Sequence, residues 1–241
     1  MGGKSKIAKD IVPIIQERID KYKCSMYIEP FVGGANIIDK IKCDIRIASD
    51  NNKYLIALYN NLDKIDNLPK EVSYEHYAEV RTCYNNKSGE FEDWYIGAIG
   101  FLASYNGRFF DGGYAKSCLG KDGVFRNYYN EAKNNLIAQL ENLKGVQFLC
   151  CDYRDYNSAV KNCVIYCDPP YTNTKKYGTS RNFDYDAFWE WCRRMSDGNI
   201  VLVSEQEAPN DFKCIWEKGV DRTINCDKNK KAVERLFEIG N

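Results

Sequence analysis

Met26-Tyr27-Ile28-Glu29-Pro30-Phe31-Val32-Gly33-Gly34-Ala35-Asn36 decides how the chain is read. A short strand, Met26 to Glu29, ends in a carboxylate, and Pro30 then removes the next backbone donor. Two glycines follow, where backbone can approach a ligand closely and adopt positive φ. Upstream, residues 4–22 carry Ile7, Ile11, Ile14, Ile15, Ile19 and Tyr22 on one helical stripe. Downstream, a second strand, Ile45 to Ser49, ends at Asp50-Asn51, and Tyr54, Leu55, Leu58 and Leu62 predict the next helix. Strand, glycine loop, strand, acid and helix, in this order, open a doubly wound α/β sheet.

The rhythm breaks over 66–127. Helix-like segments near 74–84 and 92–104 precede an irregular stretch, Tyr105 to Asn127, rich in turn formers such as Asn106-Gly107 and Asp111-Gly112-Gly113. So long a stretch inside a compact domain signals a functional loop or an insertion. Tyr129, Leu136, Leu140 and Leu143 then mark a helix, and Val146 to Cys150 a strand ending at Cys151-Asp152-Tyr153. The α/β pattern resumes with a strand at 163–167, a polar segment from Thr172 to Asn182, a helix near 184–195 and a strand from Ile200 to Val203. The tail, 212–238, reads as strands joined through 225–231. The expected organisation is one α/β domain from 1–65 and 144–241, holding a mainly helical insertion at 66–143.

Apolar strands end at Glu29, Asp50, Asp152, Asp168 and Ser204. Open α/β sheets bind ligands outside the carboxyl ends of their strands, so five polar exits on one edge predict a cleft. The most pointed exit is Val164-Ile165-Tyr166-Cys167-Asp168-Pro169-Pro170-Tyr171. Neither proline can continue the ladder, and each fixes φ near −65°. An acid, a rigid carbonyl-bearing exit and an aromatic face are thereby set at the end of a buried strand.

Bulk properties narrow the classes. The 241 residues, 44% hydrophobic and 28% charged, are those of an ordinary globular protein. No apolar run approaches the ~20 residues of a membrane span, and no apolar signal core follows Met1-Gly2-Gly3-Lys4, so neither membrane insertion nor export is expected. The 11 cysteines include no Cys-x-x-Cys pair, and His76 is the only histidine. Reduced, structural cysteines are therefore expected, with Cys150, Cys151, Cys163 and Cys167 acting as small apolar residues, and no metal site. Zero formal net charge argues against non-specific coating of nucleic acid but leaves room for one basic face.

The glycine loop lacks the Gly-x-Gly-x-x-Gly pattern of dinucleotide binding, since Asn36 and Ile38 occupy the later positions. Asp50, 17 residues beyond Gly33, is placed to accept ribose hydroxyls. A nucleoside without pyrophosphate fits; so do two turn glycines and a helix-capping acid.

Taken together, these motifs resemble the Dam-like (D12 class) N6-adenine-specific DNA methyltransferases. Asp168-Pro169-Pro170-Tyr171 looks like that family's catalytic DPPY motif, Glu29-Pro30-Phe31-Val32-Gly33-Gly34 its cofactor loop, Gly2-Gly3-Lys4 its N-terminal cofactor motif, Ser49-Asp50-Asn51 the acid after its second strand, and Glu234-Arg235-Leu236-Phe237 its closing strand. The family has Gly more often than Ala35 at the third small position, and Tyr105 to Asn127 reproduces its recognition hairpin only at Tyr105-Asn106-Gly107-Arg108.

The resemblance implies a Rossmann-like S-adenosylmethionine-dependent methyltransferase fold, mostly parallel with an antiparallel final strand. It implies a site-specific enzyme that methylates N6 of a flipped adenine in duplex DNA and releases S-adenosylhomocysteine. Asp168, Pro169, Pro170 and Tyr171 would be catalytic. Lys4, Glu29, Phe31, Gly33, Gly34, Asn36, Asp50, Asn51, Asp152, Tyr153 and Asp168 would hold the cofactor. Among residue types that read base edges or grip phosphate, Asn106, Arg108, Lys116, Lys121, Arg126, Asn127, Lys175, Lys176, Tyr177 and Arg181 are the candidate DNA contacts. Arg222, Lys228, Lys230 and Lys231 are further candidates near the last turn. The basic segments would equally suit solvated loops. Expected partners are double-stranded DNA and, in a restriction-modification pair, a cognate restriction endonuclease, in the cytoplasm of a bacterial or phage-infected cell. Two alternatives stay open: the same chemistry on RNA adenine, and a nucleotide-dependent oxidoreductase.

Overall fold

The strand ahead of the glycine loop lies in the interior of a seven-stranded sheet. The computed structural model describes residues 4–120, 123–170, 183–220 and 232–239. Among them are strands β1 (Met26–Glu29), β2 (Ile45–Asp50), β3 (Cys118–Leu119), β4 (Phe125–Arg126), β5 (Val146–Cys150), β6 (Cys163–Cys167), β7 (Ile200–Glu205), β8 (Phe212–Val220) and β9 (Ala232–Ile239). The helices are α1 (Ser5–Tyr22), α2 (Lys53–Tyr59), α3 (Tyr74–Asn86), α4 (Asp93–Leu102), α5 (Tyr128–Leu143) and α6 (Tyr185–Ser196).

The sheet order is β5-β2-β1-β6-β7-β9-β8. Pairing is parallel from β5 through β7, and the final strand β9 runs against both β7 and β8. Met26 of β1 faces Ile45 on one side and Cys163 on the other. The chain winds outward from β1 to β5 and then returns across the sheet to β6. The switch in winding direction falls between β1 and β6, where a crevice opens at the strands' carboxyl ends.

Strand β6 is buried along its whole length, as a central parallel strand covered on both faces must be. Its side chains alternate between two hydrophobic layers. Val164 and Tyr166 join the layer built from Ile11 and Ile15 of α1, Leu55 and Leu58 of α2 and Ile99 of α4. Cys163, Ile165 and Cys167 join the other layer, with Phe188, Trp191 and Cys192 of α6. Helices α3, α4 and α5 all contribute to the first layer through Tyr77, Ile96 and Leu136, so the helical segment shares its core with the sheet.

Several local expectations are corrected. Helix α2 stops at Tyr59, and Leu62 begins a separate 3-10 turn, Leu62–Asn67. The stretch expected to be irregular contains a two-stranded hairpin, with Cys118 opposite Arg126. Cys163 and Cys167 are buried, whereas Cys150 is exposed because β5 is an edge strand. The strand expected to end at Ser204-Glu205 does end there, but Ser204 does not line the cleft. The ladder continues to Glu205, and Ser204 is fully buried opposite Leu236 of β9. The connection at 225–231 lies outside the described residues. Among those residues, no helix is long and apolar enough to cross a membrane.

Candidate active site

A cavity of about 710 Å³ opens at the carboxyl ends of β1, β2, β5 and β6. It falls within the roughly 300–1,000 Å³ common for small-molecule sites. All eleven residues expected to hold a cofactor, from Lys4 through Asp168, line it, as do Pro169 and Pro170. Tyr171 lies outside the described residues.

The glycine loop is held from several sides. Gly33 has φ +45°, and a Cβ built there would meet nothing within 4 Å, so its backbone borders open space. The Gly33 amide donates to Asp50 at 3.4 Å, and the Tyr59 hydroxyl donates to the Gly33 carbonyl at 2.8 Å. Gln139 of α5 donates to the carbonyls of Gly34 at 3.4 Å and Ala35 at 3.3 Å. The other Asp50 oxygen accepts the Asn52 amide at 2.9 Å. Burial raises the Asp50 pKa, and these two amides only partly oppose it.

Glu29 ends β1 almost fully buried, accepting from the Tyr27 hydroxyl at 3.2 Å. Burial pushes its carboxyl well above the usual range, against the lowering effect of the Tyr27 bond; the nearby Asp168 charge raises it further. Asp152 behaves in the opposite way. Burial raises it, but Arg154, bonded to its two oxygens at 2.7 and 3.2 Å, outweighs that and lowers its pKa. Phe31 packs against Tyr153 with ring centroids 5.5 Å apart, giving the cavity an aromatic wall.

Asp168 follows β6 with its side chain 27% exposed, in reach of a ligand. Its Oδ1 lies 3.2 Å from Lys4 Nζ. Burial raises its pKa and Lys4 opposes the shift. Lys4 heads α1, its carbonyl accepting the amides of Ile7 and Ala8. Its ammonium also reaches Glu234 Oε2 of β9 at 2.9 Å. Desolvation lowers the Lys4 pKa, but the two carboxylates outweigh it and the net shift is upward. The Pro170 carbonyl accepts from Tyr185 at 2.6 Å, fixing the exit after Asp168.

The opposite wall comes from the helical segment. Arg81, Tyr84 and Asn85 of α3 and Arg108, Phe109 and Phe110 line it, with Tyr54 and Phe109 stacked at 5.4 Å. Of the expected DNA contacts, Arg108 lines the cavity; Asn106 and Lys116 are exposed beyond it. Arg126 is exposed on β4, 3.7 Å from Glu131. Asn127 caps α5, its side-chain oxygen accepting the Asn130 amide at 3.0 Å, because the helix's first amides need an acceptor. Lys121, Lys175, Lys176, Tyr177, Arg181, Arg222, Lys228, Lys230 and Lys231 lie outside the described residues. His76 bridges Glu79 and Tyr95 away from the cavity.

Glu234, Arg81 and Tyr84 are cavity residues that sequence reading missed. Tyr77, Arg81 and Tyr84, at helical spacing, were the available signal for α3. No local signal joins Glu234 to Lys4.

A doubly wound sheet with a single reversed strand inserted between its last two parallel ones, and a nucleoside-sized cleft at its switch point, is the architecture of S-adenosylmethionine-dependent methyltransferases. The chain belongs to one family of them: the model of the D12 class N6 adenine-specific DNA methyltransferases matches residues 1–206. Among curated relatives, the type II methyltransferase M.FokI of Planomicrobium okeanokoites is 27% identical over 96% of this chain, which spans only 37% of that longer protein. The type II methyltransferase M.MjaIII of Methanocaldococcus jannaschii is 25% identical over 99% of this chain and 95% of its own length. A DNA adenine methylase of Vibrio cholerae is 26% identical over 93% of this chain and 78% of its own. The solved rRNA methyltransferase aviRa of Streptomyces viridochromogenes aligns with TM-score 0.44 and 12% identity, covering 98% of this chain and 84% of that one, a likeness too distant to bear on the fold. Family membership makes the chain a DNA adenine methyltransferase and sets aside the oxidoreductase and RNA alternatives.

Proposed function

We propose that the cleft takes an adenine turned out of duplex DNA and presents its N6 amine to Asp168 and the Pro169 carbonyl. The observation carrying this reading is that Asp168 lines one cavity with Gly33, Gly34 and Asp50. An adenine inside a duplex cannot offer its amine to a donor held in a protein cleft, hence the extrusion. The N6 lone pair is delocalised into the ring. Two acceptors on the amino hydrogens draw the nitrogen towards a tetrahedral shape and localise that pair. Asp168 is one acceptor, and Lys4 beside it favours the ionised form. The paired prolines hold the Pro169 carbonyl out of any sheet ladder. Tyr171 would supply a stacking face, worth roughly 1–3 kcal/mol per base.

The cavity suits S-adenosylmethionine: Gly33 offers open space for close approach, and Asp50, Asn51 and Glu29 supply acceptors and donors for a nucleoside and an ammonium. When bound, that cofactor supplies an electrophilic methyl group on a sulfonium. Asp50 would accept from its ribose, Phe31 and Tyr153 would pack on its apolar surface, and Asn36, Asp152 and Lys4 would complete the rim. Orientation of this kind contributes up to ~7–11 kcal/mol in well-aligned systems. No metal is needed for the transfer.

The segment 66–143 would read the duplex as an inserted recognition domain, with Arg108 and Arg81 near the cavity gripping phosphate and Asn106, Lys116 and Arg126 beyond it. The type II relatives favour pairing with a cognate restriction endonuclease, and the setting would be the cytoplasm of a bacterial or phage-infected cell. Expression in cells lacking adenine methylation, followed by modification-sensitive sequencing, tests the reading. N6-methyladenine at one recurrent sequence is expected; unmodified DNA from cells making the folded protein contradicts it.

A further inference from the structure

Lys4 stands between two carboxylates from distant parts of the chain. Its Nζ is 3.2 Å from Asp168 and 2.9 Å from Glu234, with side-chain exposures of 12% for Lys4, 27% for Asp168 and 17% for Glu234. We propose that Glu234 is a positioning residue for methyl transfer: by drawing Lys4 to one side, it leaves Asp168 charged yet open to the adenine amine. This inference rests on the acceptor role given to Asp168 above.

An ammonium that belonged to Asp168 alone would compete with a neutral N–H donor for the carboxylate's lone pairs. Lysine has three donors and no acceptor, so a second carboxylate can share it and weaken its hold on the first. The shorter contact here is to Glu234. Both ends of this arrangement are built into the fold. Lys4 heads α1, and Glu234 sits on β9 opposite Lys218 of β8.

A purely structural role would be to dock α1 on the last hairpin. Two other ion pairs already do this, Lys218 with Asp10 at 2.8 Å and Arg18 with Glu238 at 3.0 Å. Glu234 differs from those acids in lining the cavity.

Among the described residues, the titratable groups around Asp168 are Lys4 of α1, Glu29 of β1, Tyr166 and Cys167 of β6, and Glu234 of β9. Burial pushes Glu29, Tyr166 and Cys167 towards their neutral forms. Among these described groups, Lys4 and Glu234 are therefore the charges that set the balance, and they act with opposite sign on Asp168. Removing the Glu234 charge lowers the Asp168 pKa twice over: a repelling charge is lost, and Lys4 relaxes fully onto Asp168. The pH profile then moves to lower pH while the plateau rate falls, because the acceptor is now occupied. General damage to the site has no reason to produce that combination.

The test is single-turnover methyl transfer to genomic DNA from cells lacking adenine methylation, followed across the acid and neutral range for wild type, Glu234→Gln, Lys4→Met and Asp168→Ala. For Glu234→Gln the acid midpoint should fall by about half a pH unit or more, with a plateau about tenfold lower. Its affinity for S-adenosylhomocysteine by calorimetry should be unchanged. For Lys4→Met the midpoint should rise. A wild-type plateau in Glu234→Gln, or a lower plateau with a midpoint that stays or rises, overturns the proposal. If Glu234→Gln does not fold, Lys4→Met carries the test, and a midpoint at or below wild type overturns it. Activity in Asp168→Ala would sink the acceptor role itself, whereas an inactive Asp168→Ala beside an unmoved Glu234→Gln would sink this inference alone.

Discussion

The Gly33 amide donates to the Asp50 carboxylate across 3.4 Å, joining the loop after β1 to the end of β2. One acid thereby shapes the glycine turn and borders the cavity that the turn opens. Asp50→Ala removes the turn's acceptor and the group expected to bind ribose. Losing hydrogen bonds to a charged acceptor costs roughly 1.5–3 kcal/mol, about ten- to a hundredfold in affinity. Calorimetry should show that loss for S-adenosylhomocysteine, with DNA affinity nearly unchanged; an equal loss for both would place Asp50 in general folding instead.

Glu29 gives a pH-dependent stability prediction. Burial raises its folded pKa, so the folded state holds a proton there more tightly than the unfolded chain does. The associated stability is fully present below the unfolded value, about 4.3, and is lost as pH rises through the folded value. Glu29→Gln cannot ionise. It should melt at a higher temperature than wild type in mildly alkaline buffer, with the difference vanishing in acid, while cofactor affinity falls. Parallel melting curves across pH would contradict this account.

Arg108 tests the DNA face. If it grips phosphate, Arg108→Ala should weaken binding to all sequences alike and reduce the slope of log affinity against log salt by about 1. A change of recognition sequence with an unchanged slope would make it a base reader instead.

Legibility from sequence followed the range of the signal. Glu29, Asp50, Asp152 and Asp168 could be placed on one edge because each ends an apolar run, and parallel strands bring their carboxyl ends together. Ser204, one residue short of the end of β7, is instead buried opposite Leu236 of β9 and does not face the cleft. The hairpin of β3 and β4 escaped notice because its strands are two residues long, and Leu119 and Phe125 are exposed, leaving no buried alternation to read. The Lys4–Glu234 contact joins residues 230 positions apart and exists only once α1 packs on the last strands. The helix-capping role of Asn127 was not read from the sequence, because the residue types that contact DNA also cap helices.

Methyl incorporation into DNA by Asp168→Ala is the most direct test of the site. The substitution should leave folding largely intact and, with S-adenosylmethionine at saturation, lower single-turnover transfer by several orders of magnitude. Transfer at a rate near wild type, from protein shown to be free of the parent enzyme, would mean that the carboxylate beside Lys4 does not hold the adenine amine.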